Sequence, residues 1–334
     1  MIRVLLYGIG PIGVMVARQL AHRDGFRIVG AIDVDPAKVG RDLGELASLG
    51  RPLRIKVSPD SRTTLKKSKP DVVVLCTSSS IKSVLPQLED VLRAKLPVVT
   101  TTEELSYPVK KHTTMARKID ALAKKGKVAV LATGVNPGFV MDALPIALTA
   151  VSERVESVAI NRVQDARTRR LPFQQKIGAG LTRDQFDREV TRGSIRHVGL
   201  AESISMIADA LGWRIDRITD QIKPKIADRT VESEFLAVDP GYVSGIIQDG
   251  VGYKNGTSVI KLHMEAYLGA PESYDSAVIE GVPRLEMKIV GGVPGDIATT
   301  SIVINSIPKV LAAKPGLQTM RHLPLPSYFG GDSD

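Results

Sequence analysis

A glycine-rich turn near the start of the chain has the spacing of a site that binds a dinucleotide. The pattern Gly-x-Gly-x-x-Gly separates a predicted strand at residues 2–7 from a predicted helix at residues 12–22. In such a turn the glycines allow a tight bend, a close approach of the backbone to a pyrophosphate, and close packing of the helix on the strand. Amides at the start of the helix would hold the phosphates. We therefore predict a cofactor-binding turn that comprises Gly8, Ile9, Gly10, Pro11, Ile12 and Gly13.

An aspartate at the end of the second predicted strand favours NAD over NADP. Asp33 follows Gly13 by twenty residues, a distance at which a carboxylate can accept a hydrogen bond from the 2′-hydroxyl of the adenosine ribose. Such a carboxylate would repel the 2′-phosphate of NADP, but Lys38 and Arg41 follow closely and could weaken that repulsion. Use of both cofactors therefore remains open. The other interpretation of Asp33 or Asp35 is a cap on the next helix.

Small polar residues follow three further predicted strands, where a parallel sheet has its ligand crevice. These strands lie at 71–76, 96–100 and 128–133. We expect the residues after them to line the ribose or the nicotinamide of the cofactor, although plain polar loops, or a turn that starts the next helix, would show the same residue types. The predicted contacts are Thr77, Ser78, Ser79, Thr101, Asn136, Pro137 and Gly138.

Two adjacent glutamates, Glu103 and Glu104, also follow the strand at 96–100. A carboxylate at this edge would lie beside the nicotinamide, where it could hold a cationic amine or iminium or move protons. The competing interpretation is the capping of a helix, because acidic side chains are favoured at helix N-termini. One glutamate could serve each role.

The sequence carries no motif for a metal site or for an activated serine. It contains one cysteine, Cys76, and neither a His-Glu-x-x-His nor a Gly-x-Ser-x-Gly pattern. His263 lies in an alternating strand pattern, where it could hydrogen-bond a substrate or be a structural residue with its own partners. We therefore expect no resident metal.

These residues require a fold that brings the ends of several strands together. Through about residue 150, short apolar runs alternate with helical patterns, which predicts a doubly wound parallel sheet of the Rossmann type. Longer strand-like runs follow, and they predict an α+β domain with a mostly antiparallel sheet. The predicted fold class is thus α/β, with a dinucleotide-binding domain at 1–140, a substrate-binding and dimerisation domain at 141–310, and a tail at 311–334 that could return to the first domain.

Composition and charge exclude several classes of protein. Of the 334 residues, 43% are hydrophobic and 24% are charged, which is typical of a globular chain and not of a disordered or fibrous one. No apolar run is long enough to span a membrane, and the N-terminus has no signal-peptide layout, so we expect a cytoplasmic protein. The formal charge is +9, and a predicted helix at 110–127 is strongly basic. Because no nucleic-acid motif accompanies this charge, we expect attraction for anionic cofactors rather than a nucleic-acid partner.

Several longer strings resemble one known family. They are YGIGPIG, GAIDVDPAKVGRDLGE, TTTEELSYP, ATGVNPGFVMD, RLPFQQKIGAG and GGVPGDIATTSIVINSIP, and they extend over nearly the whole chain. They resemble the 2,4-diaminopentanoate dehydrogenase-like family, which includes the native NAD(P)H-dependent amine dehydrogenases and has a fold akin to that of dihydrodipicolinate reductase. The resemblance implies reversible reductive amination of a small ketone or aldehyde with ammonia, or oxidative deamination of an amine in reverse, by a homodimer.

The same resemblance assigns roles to residues. It implies a catalytic glutamate in the EELSYP segment, for which we favour Glu104, with Glu103 as the second choice. A substrate that carries a carboxylate, such as 2,4-diaminopentanoate, would need a cationic partner. The arginines that could supply it are Arg162, Arg167, Arg169 and Arg170. The implied substrate pocket comprises Phe139, Met141, Arg162, Gln164, Phe173, Ile177 and His263.

Other functions remain open beside this one. An amino-acid dehydrogenase of the homoserine or saccharopine reductase type would share the nucleotide domain and differ in its pocket. A protein that senses NAD(H) without catalysis would use the helix at 110–127 as a partner surface. The activity of dihydrodipicolinate reductases is disfavoured, because their substrate segment carries adjacent histidines and this sequence has none.

Overall fold

A computed structural model describes residues 1–108 and 112–330 of the chain, which form two units. The first unit comprises Met1–Phe139 and the chain from Pro294 onward, and the second comprises Val140–Val293. Residues 294–310, predicted to belong to the second domain, pack within the first unit. The physical reason is that the apolar pattern of a helix does not reveal which sheet the helix will cover.

Strands and helices alternate along the first unit up to residue 139. The strands are β1 (Ile2–Tyr7), β2 (Phe26–Ile32), β3 (Val57–Ser58), β4 (Val72–Leu75), β5 (Val98–Thr100) and β6 (Ala129–Ala132). The helices are α1 (Pro11–Ala21), α2 (Leu43–Leu46), α3 (Ser61–Ser68), α4 (Ile81–Arg93) and α5 (Thr113–Gly126). A short 3₁₀ turn, Glu103–Leu105, follows β5.

The second unit contains four helices and eight strands among its elements. The helices are α6 (Ala143–Leu148), α7 (Leu171–Lys176), α8 (Arg183–Arg192) and α9 (Leu200–Ala210). The strands are β7 (Arg154–Asp165), β8 (Arg217–Ile226), β9 (Val231–Glu232), β10 (Ala237–Val238), β11 (Val243–Lys254), β12 (Thr257–Tyr267), β13 (Tyr274–Val282) and β14 (Leu285–Val290). The chain then returns to the first unit through α10 (Gly295–Leu311) and β15 (Gly316–Gln318).

The sheet of the first unit has seven parallel strands in the order β15-β6-β5-β4-β1-β2-β3. Its central strand β4 reads Val-Val-Val-Leu and is buried along its whole length, as expected where a parallel sheet is covered on both faces. α10 packs against β4, β5 and β6 and also against α1. The strand order reverses between β1 and β4, and such a reversal is where open α/β sheets bind ligands.

The main sheet of the second unit has six strands in the order β14-β13-β7-β12-β11-β8. β7 and β12 pair in parallel, and the other neighbours pair antiparallel. α9 packs against β8, β11 and β12. The predicted fold class, a Rossmann-type parallel sheet followed by a mostly antiparallel sheet, is therefore confirmed.

Two local expectations differ from the structure. Neither Asp33 nor Asp35 caps the next helix: the Asp-Pro at residues 35–36 starts a turn, and α2 begins only at Leu43, where Asp42 caps it by accepting a hydrogen bond from Gly44 N. The predicted basic helix begins at Thr113, and residues 109–111 lie outside the described part of the chain. Within residues 1–108 and 112–330, no helix has the length and apolar character needed to cross a membrane.

Candidate active site

The glycine turn between β1 and α1 leaves room for an anionic ligand beside it. Gly8 has φ +96°, and a Cβ there would lie 2.8 Å from the carbonyl oxygen of Cys76. A Cβ on Gly13 would lie 1.9 Å from the carbonyl oxygen of Gly8, so α1 can pack this closely only with glycine at that position. A Cβ on Gly10 would meet no atom within 4 Å. No side chain caps α1, and its first amides are thus left for a phosphate, which fits a dinucleotide.

Gly10→Ala is expected to weaken cofactor binding without weakening the fold. The backbone of Gly10 (φ −76°, ψ −174°) is one that alanine adopts readily, and the added methyl meets only the space predicted for the pyrophosphate. The Kd for NADH should rise about tenfold or more, a loss of about 1.4 kcal/mol. Fluorescence titration of NADH and the thermal unfolding midpoint test both statements. Gly13→Ala is the contrasting variant, because its methyl would collide with the backbone of Gly8 and lower the unfolding midpoint. An unchanged affinity for NADH in Gly10→Ala would contradict the predicted role of the turn.

Asp33 connects the end of β2 to the glycine turn. Its Oδ2 accepts a hydrogen bond from Ile9 N at 2.7 Å, and its Oδ1 accepts one from Asp35 N at 2.9 Å. The ammonium group of Lys38 lies 3.5 Å from Asp33 Oδ2 and 2.9 Å from Asp35 Oδ2. Hydrogen bonding between Lys38 and Asp35 raises the pKa of the lysine and lowers that of the aspartate. The ammonium group of Lys38 therefore lies beside the Asp33 carboxylate. Asp35 belongs to this turn and does not cap a helix.

The loops after β4 and β5 are joined by hydrogen bonds. Glu104 N donates to Ser79 O at 3.2 Å, and Ser78 Oγ accepts from Ser80 N at 3.1 Å. The Thr77 hydroxyl donates to Gln87 Oε1 at 2.5 Å. Because β4 and β5 are neighbours in the sheet, the predicted contacts Thr77, Ser78, Ser79 and Thr101 do lie along one edge, next to the glycine turn.

Cys76, at the start of the loop after β4, is not an activated nucleophile. Desolvation raises the pKa of its thiol to about 12, and a hydrogen bond with the Thr101 side chain only partly opposes this rise. The thiol therefore stays protonated at neutral pH, and the thiol form is a poor nucleophile. Part of the hydrogen-bonding capacity of Thr101 is used on this sulfur.

The carboxylate of Glu104 is anchored through one of its oxygens. Oε2 accepts a hydrogen bond from Ile81 N at 3.0 Å, at the first residue of α4, and lies 3.5 Å from His112 Nε2. Among the described residues Oε1 has no hydrogen-bond partner, and the side chain is 18% exposed. Glu103 occupies the same 3₁₀ turn, and its carbonyl oxygen accepts from Ser106 Oγ at 2.8 Å. Glu104 thus caps α4 through Oε2, and its Oε1 is left to contact a ligand.

The turn after β6 reaches the same edge of the sheet. Thr133 N donates to Thr100 O at 2.9 Å, and Val135 N donates to Thr299 Oγ1 of α10 at 3.3 Å. Asn136 is buried, and the Asn136–Pro137 peptide is cis. A Cβ on Gly138 would lie 2.6 Å from Thr133 Oγ1. No helix begins at Pro137, since α6 starts at Ala143, so this segment is a folded turn beside the loop that carries Glu103 and Glu104.

In the second unit, Arg162 and Gln164 project from the same face of β7. Arg162 donates to Asp275 Oδ1 at 2.5 Å and to Val293 O at 2.8 Å, and Gln164 Nε2 donates to Val293 O at 3.2 Å. Both members of the Arg162–Asp275 pair are at most 2% exposed, and burial lowers the pKa of Arg162. The guanidinium of Arg162 is therefore largely committed to partners within the unit. Arg167 is likewise paired, with Asp165 at 2.6 Å.

His263 lies on the opposite face of the sheet from Arg162. It pairs in register with Asn161, whereas Arg162 pairs with Met264. The two ring nitrogens of His263 contact Asp249 Oδ1 at 2.7 Å and Glu265 Oε1 at 3.0 Å. Burial alone would lower the pKa of His263, but its bonds with the two carboxylates raise it overall. Of the two interpretations, this arrangement matches a structural histidine with its own partners.

The remaining predicted pocket residues have different surroundings. Ile177 is buried in an apolar cluster with Phe186 and Ile195, and Phe173 packs against that cluster. The guanidinium carbon of Arg169 lies 4.0 Å from the centre of the Phe173 ring. Phe139 ends the first unit, and Met141, near the start of the second, is fully buried. In the structure Ile177 therefore contributes to the apolar core of the second unit.

His197 has unusual surroundings that no sequence motif indicates. Desolvation and the nearby charges of Lys176, Arg162 and Arg196 lower its pKa to about 3, so the ring is neutral at physiological pH. Its backbone N donates to Gln248 Oε1 at 2.9 Å, and its carbonyl oxygen accepts from Gln248 Nε2 at 3.0 Å. Apart from Arg196, the residues named here, Lys176, Arg162 and Gln248, come from other segments of the chain. Across residues 1–108 and 112–330 no group of three or more His, Cys, Asp or Glu side chains is arranged to hold a metal.

Comparisons with known proteins cover both units. A family model described as the 2,4-diaminopentanoate dehydrogenase C-terminal domain matches residues 139–334, and one described as the N-terminus of dihydrodipicolinate reductase matches residues 2–134. The chain is similar to a 2,4-diaminopentanoate dehydrogenase of Acetoanaerobium sticklandii, with 32% identity over 99% of this chain and 96% of that protein. It is similar to an amine dehydrogenase of Streptomyces virginiae, with 25% identity over 99% of this chain and 98% of that protein. The structure is similar to that of an amine dehydrogenase from Mycobacterium smegmatis, with a TM-score of 0.87, 28% identity and 98% of each chain covered.

Proposed function

This chain belongs to the 2,4-diaminopentanoate dehydrogenase family of oxidoreductases, and on that premise we propose that it is an NAD(P)-dependent amine dehydrogenase. The reaction would be the reductive amination of a small ketone or aldehyde with ammonia, and in reverse the oxidative deamination of an amine. The observation that carries the proposal is the anchored carboxylate of Glu104 at the strand edge that also bears the dinucleotide turn.

The residues of the first unit would hold and orient the cofactor. When bound, NAD(P)H supplies the hydride for the reaction. The backbone of the glycine turn and the first amides of α1 would bind the phosphates, and Asp33 would accept from the ribose. The buried turn that contains Asn136 would lie near the nicotinamide. These parts follow β1, β2 and β6, which are strands of one sheet.

Glu104 would stabilise the positive charge of the substrate iminium. Oε2 is held by Ile81 N, and this leaves Oε1 to contact the nitrogen that comes from ammonia. A carboxylate stabilises the positive charge that develops when the carbinolamine formed from ammonia and the carbonyl loses water, so it would favour formation of the iminium that then accepts the hydride. Glu103, in the same turn, is the second choice for this role.

A second candidate function is the oxidation of 2,4-diaminopentanoate itself. One feature of the second unit favours a substrate with a carboxylate: Lys176 and Arg196 lie close enough to His197 to lower its pKa. Arg196 lies 3.9 Å from Asp220, whereas Lys176 is exposed, so Lys176 is the cation in this region that would attract a substrate anion. Arg162 contributes less, since Asp275 neutralises it.

The proposed function is tested by following NADH and NADPH absorbance with small ketones and aldehydes, with and without concentrated ammonia. We expect consumption that depends on ammonia. Consumption with the carbonyl alone would instead indicate an alcohol dehydrogenase-like reductase. A second arm supplies NAD⁺ or NADP⁺ with 2,4-diaminopentanoate and with a matched amine that lacks the carboxylate. Cofactor binding without turnover in either arm would favour a sensor and contradict the proposed enzyme.

We also propose that the chain acts as a homodimer, the state that the resemblance of its sequence implies. The candidate surface is the face of the six-stranded sheet that carries His263. Asn161 and Asp249 flank His263 in register on the neighbouring strands, and all three residues are partly exposed. Light scattering of the protein in solution would give twice the mass of one chain.

A further inference from the structure

The turn after β2 brings an ammonium group to the aspartate that is proposed to bind the adenosine ribose. Asp35 Oδ1 accepts from Ala37 N at 2.9 Å, and the carbonyl oxygen of Asp35 accepts from Lys38 N at 2.9 Å. These two bonds close a tight turn, as Asp-Pro sequences commonly do. The Lys38 side chain therefore returns to the end of β2, where Nζ contacts Asp35 Oδ2 at 2.9 Å and Asp33 Oδ2 at 3.5 Å.

We propose that Lys38 determines how well this chain accepts NADPH beside NADH. The inference rests on the proposed function, because it concerns the cofactor of the same site. Asp33 is 12% exposed and is held by the amides of Ile9 and Asp35, so it cannot turn away from a ligand. A 2′-phosphate, with a charge of about −1.5 to −2, would meet this fixed carboxylate. Lys38 is the cation that offsets the repulsion.

The neighbouring cation Arg41 is not in the same position. Its guanidinium pairs with Glu45 Oε1 at 2.6 Å, one helical turn along the chain, and about half of the side chain is exposed. The Arg41–Glu45 pair is neutral as a whole and screened by water. Lys38 contacts Asp33 directly, whereas no contact between Arg41 and Asp33 occurs among the described residues.

Asp35 competes with a phosphate for Lys38. Two carboxylates and one ammonium leave the cluster with one net negative charge, so NADH should bind more tightly than NADPH. The hydrogen bond with Asp35 raises the pKa of Lys38, which keeps the ammonium charged at neutral pH. Removal of the Asp35 charge would release Lys38 for a 2′-phosphate and lower the net negative charge at once. Substitutions among these three residues should therefore be able to raise or lower the affinity for NADPH relative to NADH.

The test is the ratio of the Kd of NADPH to that of NADH, measured by fluorescence titration rather than by turnover. Lys38→Met should raise this ratio about tenfold or more, the effect of one lost charge-assisted contact. Asp35→Asn should lower the ratio several-fold, because Lys38 becomes available to the phosphate. Arg41→Met is the matched control, since it removes a cation three residues away, and it should leave the ratio unchanged.

Two results would overturn the inference. One is an unchanged ratio of the Kd of NADPH to that of NADH in the Lys38→Met variant. The other is a changed ratio in the Arg41→Met variant when Lys38→Met leaves it unchanged. Either would leave the proposed function standing, because both cofactors would still bind. If the wild-type protein bound neither NADH nor NADPH, the proposed function itself would fail, and the inference with it. Competition by 2′,5′-ADP against AMP repeats the comparison without the nicotinamide and localises the effect to the ribose end.

Discussion

Replacement of Glu104 by glutamine is expected to lower kcat for reductive amination about 100- to 1,000-fold, the range that follows loss of one positioned group that stabilises a developing charge. Glutamine keeps an oxygen that can accept from Ile81 N, so α4 should retain its cap. It has no negative charge to stabilise an iminium cation. Steady-state kcat at saturating ammonia measures the effect, and NADH titration should show that the cofactor still binds.

The matched control is Glu103→Gln, which makes the same chemical change one residue away in the same 3₁₀ turn. It should lower kcat far less than Glu104→Gln does. The reverse order would transfer the catalytic role to Glu103. Wild-type turnover in the variant with both substitutions would show that neither carboxylate takes part, and the proposed mechanism would be wrong.

Arg162→Met is expected to lower the free energy of unfolding of the second unit by about 3–5 kcal/mol, because removal of one partner leaves a buried charge uncompensated. Asp275 is 1% exposed and would keep only the amide of Val293 as a hydrogen-bond donor among its described partners. Methionine replaces much of the volume of the arginine, so the loss would come from charge rather than from a cavity. Urea unfolding followed by the fluorescence of Trp213, which lies in this unit, measures the change.

Two further variants separate the buried pair from ordinary ion pairs. Arg154→Met removes an exposed partner of Glu156 on the same strand, and it should cost less than about 1 kcal/mol. Arg162→Met combined with Asp275→Leu should recover part of the loss, since an apolar pair can replace a buried ion pair. Equal effects of Arg162→Met and Arg154→Met would contradict the argument. Recovery of stability without recovery of activity would indicate that Arg162 also serves the substrate.

The glycine turn illustrates what local sequence can predict. Its spacing, a strand before it and a helix after it are all properties of residues 2–22, and the structure has the turn as expected. Asp33 is a similar case, because the length of α1 and β2 sets its distance from the turn. The alternation of strands and helices predicted the parallel sheet for the same reason: each period is a property of one short segment.

The pairing of side chains from distant segments could not be predicted in this way. Glu104 meets Ile81 at a separation of 23 residues, and Arg162 meets Asp275 at a separation of 113. Such contacts depend on strand order and register, and a shift of one residue in β7 would turn Arg162 to the other face. The alternation of side chains along paired strands also puts His263 and Arg162 on opposite faces of the sheet, whereas the sequence predicts one pocket for both. The lowered pKa of His197 could not be predicted either, because its main cause is burial and because two of the nearby charges, Lys176 and Arg162, come from other segments.

The two sheets, the glycine turn and the family could be predicted from the sequence, and the sequence also limits the carboxylates proposed to act on an amine to Glu103 and Glu104. These follow from periodicity and from backbone demands that are local to each segment. Four features became apparent only from the three-dimensional fold: α10 packs in the first unit, Glu104 is held by one oxygen, Lys38 rather than Arg41 contacts Asp33, and Arg162 is neutralised. The physical reason is that charge and hydrogen bonding act over a few ångströms, and folding alone brings those groups within that range.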